Sequence, residues 1–371
     1  MYDDIRPYND AEAVAALKRA SRNRLMDQIS AFLFPGKDPD ILRNTLNTVQ
    51  GVDDFQTRVM LPAVGSILTK TTRGLSYDGI QYFSGGRCYL LLSSHRDIVL
   101  DSAFIQFIFK KNDLMPSEIA VGDNLLYNPF VEDLMRSNRM IKVTRGTSNR
   151  QLYEISKTLS SYIRMRLVDE HPASVWISHR NGRTKDGCDK TEQGLLKMLS
   201  MSGGPDFAEN MKELHIMPVS ISYEIEPCGV RKAYEVFVKQ MMGAYAKRPG
   251  EDLESIVAGI LQQKGRVHVS FCKPVTEAEL RQCDAQGTNE RFRALAHLVD
   301  QRILDSWKIW PYNIAAAELK EGRPSSDKLV TAEFEKYLTE ELRALPLSGN
   351  RKPVRDMLIS IYAEPALRKG L

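Results

Sequence analysis

Paired cysteines are the first thing this 371-residue chain lacks. Its five, Cys88, Cys188, Cys228, Cys272 and Cys283, are odd in number, and none stands in a CxxC pair or at zinc spacing with histidine. A disulfide scaffold and a zinc module of the usual kind are therefore not expected, and a reducing, cytoplasmic setting is. The opening residues Met1-Tyr2-Asp3-Asp4 are acidic and lead into no apolar core, so no secretory leader is expected. No run reaches the ~18 apolar residues that a membrane span needs, which leaves only peripheral membrane contact. Charge of one sign is also missing. Lys and Arg number 51 against 47 Asp and Glu, a net of +4, too little to argue a nucleic-acid partner. An anionic substrate or membrane surface remains compatible with that balance. Walker A, GxGxxG and HExxH are all absent, and the histidines lack metal spacing.

What is present is enough apolar residue, 43%, for one large domain or two smaller ones. Residues 11–34 and about 53–73 read as helices with no visible chemistry. From about 87 to 272 strands and helices alternate, which predicts an α/β layered fold. Strands are expected near 89–93, 120–122, 141–143, 173–178, 219–223 and 265–271. Helices are expected near 98–109, 130–138, 148–167, 191–199 and 252–263. In the long helix, Leu152, Ile155, Leu159, Ile163 and Leu167 form one apolar stripe. From about 290 onward the chain reads as helical, with an aromatic cluster at Trp307 and Trp310. The organisation expected is a helical region 1–74, an α/β core 75–275 and a mainly helical region 276–371.

The chemistry-bearing stretch is Tyr89-Leu90-Leu91-Leu92-Ser93-Ser94-His95-Arg96-Asp97-Ile98-Val99-Leu100-Asp101. A buried strand breaks at two serines and re-enters as an apolar helix. At the junction, His95 has one carboxylate two residues on and another six on. A strand end that fixes a histidine beside a carboxylate suits a general base and its orienting partner. Ser94 through Asp97 also has the form of a capping box, which gives Asp97 a structural task. Asp101 sits in an apolar helix, where a carboxylate is costly unless paired. Three further stretches follow strands or form one. Arg145 lies just past the strand 141–143, where an arginine suits bidentate phosphate binding, or simple solvation. Gly182, Arg183 and Lys185 lie in a glycine-containing basic turn after strand 173–178, either an anion loop or an ordinary turn. Met217-Pro218-Val219-Ser220-Ile221-Ser222-Tyr223-Glu224 reads as a buried strand in which no side chain demands a catalytic role.

These four stretches, in this order, resemble the four sequence blocks of the glycerophospholipid acyltransferases, most closely the glycerol-3-phosphate acyltransferase branch. The resemblance covers roughly residues 75–275, and Met217 to Glu224 is its most specific part. Two departures stand out. Five residues, not four, separate His95 from Asp101, and the glutamate expected in the third block is replaced by Arg180 or Asn181. The resemblance implies a layered mixed sheet flanked by helices, with helical N- and C-terminal extensions. It implies acyl transfer from acyl-CoA or acyl-carrier protein to a glycerol-phosphate or lysophospholipid hydroxyl in phospholipid biosynthesis. His95 would be the base and Asp101 its orienting carboxylate. Arg145, Gly182, Arg183 and Lys185 would hold the acceptor phosphate, with no cofactor and no metal. A groove beside helix 98–109 would take the acyl chain. The amphipathic product implies docking on the cytoplasmic face of a membrane, for which Trp307, Trp310, Arg351 and Lys352 are candidates, against the alternative of a helical cap. Two other readings are an acyltransferase for an amine or non-phosphate acceptor, and a catalytically inactive lipid-binding homologue.

Overall fold

Leu90-Leu91-Leu92 is apolar at every position, as a strand buried on both faces must be. In the computed structural model, which describes residues 2–34, 36–126, 128–144, 148–345 and 351–371, it is the middle of one seven-stranded sheet. The strands are β1 Gly74–Asp78, β2 Leu90–Ser93, β3 Glu118–Gly122, β4 Met140–Val143, β5 Val175–Ser178, β6 Ile216–Tyr223 and β7 Arg266–Phe271. Their order is β1-β7-β6-β2-β5-β3-β4. β6, β2, β5, β3 and β4 run parallel to one another, while β7 meets β6 antiparallel and β1 follows β7. The chain is thus an α/β protein with a mixed sheet and helical regions before and after it.

The two-residue period of the strands divides the core. Leu90 and Leu92 of β2, with Val175 and Ile177 of β5, pack beneath the helices Asn149–Val168 and Arg291–Ser306. Leu91, Trp176, Met217 and Tyr223 point to the other face, against Phe104 and Ile108 of the helix Leu100–Lys111 and Val64 of the helix Leu61–Thr71. The N-terminal helices Asp10–Ala20, Leu25–Leu33 and Ile41–Thr48 close on a separate small core. The helices Gly229–Met242, Pro311–Glu321, Lys328–Arg343 and Lys352–Arg368 form a further layer.

Five parallel strands place five carboxyl ends on one edge of the sheet, the edge where open α/β sheets bind ligands. Ser93 stands there beside Ser178 on one side and Val219 on the other. Three of the stretches singled out by sequence, after β2, after β5 and along β6, come together at this edge. Arg145 lies outside the described residues. The strand it follows, β4, ends at Val143.

Several sequence expectations change. The helix expected over 11–34 is two, broken where Ser21 to Arg24 form a turn. The helix expected over 53–73 contains one π-helical turn, Gln56–Met60. Leu152 is 52% exposed, so the stripe on the long helix starts a turn later. Trp307 and Trp310, offered as membrane contacts, are instead buried, each under an arginine: Arg96 lies 4.4 Å from the Trp307 ring and Arg266 4.8 Å from that of Trp310. Among the described residues no helix is long and apolar enough to cross a membrane.

The helix Glu251–Leu261 crosses the turn after β2 so closely that only glycine fits at the contact. A Cβ at Gly259 would stand 2.2 Å from Oδ2 of Asp97. Gly259→Ala is therefore expected to destabilise the protein by about 1–3 kcal/mol, as overpacking does. Thermal melting checks this, and an unchanged melting temperature contradicts so tight a seat.

Candidate active site

Asp101 is buried one residue into the helix Leu100–Lys111, where an unpaired carboxylate could not be tolerated. It accepts four hydrogen bonds instead. Its Oδ2 accepts from the backbone N–H groups of Arg96 (2.6 Å) and Asp97 (2.9 Å) and from Nδ1–H of His95 (2.9 Å). Its Oδ1 accepts from the hydroxyl of Tyr223 at 2.7 Å. Three donors therefore crowd the two lone pairs of Oδ2, while Oδ1 accepts one bond. With Nδ1 donating to an acceptor-only group, the neutral imidazole carries its lone pair on Nε2, which has no hydrogen-bond partner among the described residues. The ring is largely buried, its side chain 13% exposed, and packs edge-on to Trp176 at 5.8 Å.

The five-residue spacing between His95 and Asp101 is taken up by the turn itself. Asp97 reaches forward with Oδ1 to the N–H groups of Val99 (2.9 Å) and Leu100 (2.8 Å), capping the helix. The capping box expected from Ser94 does not form: the Ser94 hydroxyl accepts from Ile221 N–H of β6. Oδ2 of Asp97 is buried without a partner. Burial, with the charge of Asp101 next to it, pushes the Asp97 carboxyl above its usual range.

Arg96 points away from this pair into a buried ionic cluster. Its guanidinium donates to Asp189 (2.7 Å) and to Gly187 O (3.1 Å), faces Glu226 at 3.5 Å and stacks on Trp307. Burial works against the Arg96 charge, but Asp189 and Glu226 outweigh it and hold the guanidinium above its usual range. Lys232 bridges Glu226 (2.5 Å) and Arg96 O (2.6 Å), which locks the backbone of the turn from beneath.

The loop after β5 wraps the same turn, with Thr184 N–H donating to His95 O at 2.8 Å. Gly182 sits in the left-handed region at φ 72° with open space around it. Arg183 is buried, and its Nη1 has no partner among the described residues. Lys185 is ion-paired to Glu235, so its charge is already matched. Arg180, at one of the two positions where the glutamate was expected, also keeps a buried Nε without a partner. Tyr223 is the residue that sequence reasoning missed. A tyrosine at the end of an otherwise buried strand was the available signal, because a buried phenol hydroxyl needs a partner.

An apolar groove runs along the helix Leu100–Lys111, the helix that carries Asp101. It holds about 480 Å³ of empty space, its open mouth included. Met60, Leu61, Val64, Ala103 and Phe107 make its walls. Val99, four residues past His95, and Ile119, the register neighbour of Trp176, line it as well. The π turn supplies Gln56 and Met60 to the lining.

No family model matches this chain, and no curated protein does. Among solved structures, that of the 1-acyl-sn-glycerophosphate (LPA) acyltransferase PlsC from Thermotoga maritima is similar at a TM-score of 0.39 and 12% identity, over 80% of this chain and 95% of that one. A likeness that distant carries no weight for this chain's chemistry, which rests on the residues at the strand edge.

His179, the residue after β5, is fully buried, and burial holds its imidazole down to about 4 although Asp189 pulls the other way. The unfolded chain protonates this group near 6.5 and the folded one does not. Stability from this residue is therefore present above 6.5 and is lost as pH falls toward 4, by about 3 kcal/mol in all. Denaturant midpoints across that window are expected to fall less steeply in His179→Gln than in the parent. Equal slopes would contradict a neutral buried His179.

Proposed function

We propose that this chain is an O-acyltransferase, moving a fatty acyl group from acyl-CoA or acyl-carrier protein to a hydroxyl of a glycerol-phosphate-type acceptor. The observation that carries this reading is the His95–Asp101 contact at 2.9 Å, with Nε2 left without a hydrogen-bond partner among the described residues and an apolar groove along the helix that carries Asp101. In this mechanism Nε2 takes the proton of the acceptor hydroxyl as its oxygen attacks the thioester carbonyl. The C–S bond then breaks, and the imidazolium returns the proton to the leaving thiolate. Asp101, already accepting four hydrogen bonds, stabilises the imidazolium without taking its proton. General-base help of this kind is worth ~10²–10⁴ in rate, and the remainder falls to positioning and to charge stabilisation at the carbonyl oxygen.

The groove suits the acyl chain, where each buried methylene contributes ~0.8 kcal/mol. Arg183, buried with an open N–H beside the turn, suits the acceptor phosphate, and Arg145 is its proposed companion from the sequence resemblance. Such an acceptor is amphipathic, so the working place proposed is the cytoplasmic surface of a membrane. The intact His95–Asp101 hydrogen bond speaks against a lipid-binding protein without catalysis.

The test is thiol release by the purified chain, first with long-chain acyl-CoA and then with acyl-carrier protein. Glycerol 3-phosphate, lysophosphatidate and an amine are offered as acceptors. Release that depends on a phosphate-bearing acceptor and falls at least 10²-fold in His95→Ala is the expected result. Release that survives His95→Ala, or that occurs only with the amine, overturns the reading.

A further inference from the structure

Tyr223 closes β6 with its ring among Phe104, Leu91 and Met217, where phenylalanine would fill the same space. Its hydroxyl is fully buried, and its one hydrogen-bond partner among the described residues is Oδ1 of Asp101. Burial and the neighbouring carboxylates of Asp101 and Asp97 keep the phenol protonated far above its usual range, so it is always a donor. The other three bonds to Asp101 all fall on Oδ2, and all come from the turn His95 to Asp97. Three bonds crowd one oxygen while the other has a single donor, so without that donor the carboxylate gains by turning about its Cβ–Cγ axis to share them between both oxygens. The fourth, from a different strand to the other oxygen, removes that gain.

We propose that Tyr223 is a positioning residue of the dyad: its hydroxyl clamps Oδ1 of Asp101 and thereby holds Oδ2 on Nδ1 of His95. It touches neither substrate nor base and acts only through Asp101. The consequence for catalysis rests on the acyltransferase reading given above, whereas the clamp itself does not. Without the hydroxyl, Oδ1 is buried with no donor, and the carboxylate rotates to share the backbone N–H groups of Arg96 and Asp97, at the expense of the imidazole. Substrate contacts are untouched by that change.

The experiment uses the full chain and the variant Tyr223→Phe, which removes one oxygen and keeps the packing. Phe104→Leu serves as a packing control, because it loosens the same ring contact and leaves the hydroxyl bond in place. The first readout needs no substrate. The Nδ1–H proton of His95, assigned by its loss in His95→Ala, gives a downfield NMR resonance in the parent. That resonance is expected to shift or broaden in Tyr223→Phe and to stay in place in Phe104→Leu, although Phe104→Leu melts lower. The second readout is thiol release. In Tyr223→Phe kcat is expected to fall roughly 10- to 100-fold, the worth of one charge-assisted hydrogen bond, with KM for both substrates unchanged. An unmoved resonance in Tyr223→Phe, or a shift of the same size in Phe104→Leu, overturns the clamp. If the parent releases no thiol, the acyltransferase reading falls, and the resonance still decides the clamp.

Discussion

The carboxylate of Asp101 is where this structure is tied together. Four donors meet on it, from a turn, a histidine and a distant strand. A buried anion is expensive, and each bond that satisfies it is of the strong, charge-assisted kind. The cost and its compensation together specify geometry. The turn after β2 must curl so that two backbone N–H groups face inward, β6 must end with Tyr223 opposite the helix start, and His95 is left only one way to face. Moving any of these elements by an ångström strands a charge in the core.

The same turn is gripped from its other side. Arg96 carries the only long side chain between His95 and Asp97, and it runs into Asp189, Glu226 and the ring of Trp307. Glu226 in turn receives Lys232, and its N–H donates to the hydroxyl of Tyr362 in the last helix. The C-terminal helical layer is thereby joined to the residue next to the proposed base. Buried ion pairs of this sort are weak contributors to net stability, because desolvation consumes much of their attraction. Here they fix where the backbone of the turn lies, which is what a base with a set position requires.

Much of this was legible in the residues. An unbroken apolar triplet followed by two serines and a histidine marks a buried strand with chemistry at its end, and a carboxylate in an apolar helix demands a partner. What escaped was set by tertiary neighbours. β1, Gly74–Asp78, is a mostly exposed edge strand without apolar alternation, and the sequence offers no signal for it. Trp307 and Trp310 looked like surface aromatics because the arginines that cover them lie more than forty residues away in sequence. Asp97 has capping chemistry in either reading, and only the packing of Gly259 against it shows that it caps its own helix in a sealed place. The pairing of Lys185 with Glu235, from the helix Gly229–Met242, is likewise set by a tertiary neighbour that the local sequence does not reveal.

Two features that sequence alone leaves separate meet in the proposed reading, a histidine held by Asp101 and an apolar groove along the helix that carries this carboxylate. Val99, in the turn that follows His95, lines the groove, and the proposed reading sets an acyl chain there with its thioester toward the imidazole. The direct test is a non-hydrolysable thioether analogue of a long-chain acyl donor, with a photoreactive group at the chain terminus, cross-linked to the full protein and mapped by mass spectrometry. The account predicts cross-links to groove residues such as Met60, Val64 and Phe107, competed away by unlabelled donor. Competed cross-links that fall elsewhere, with none in the groove, would contradict it.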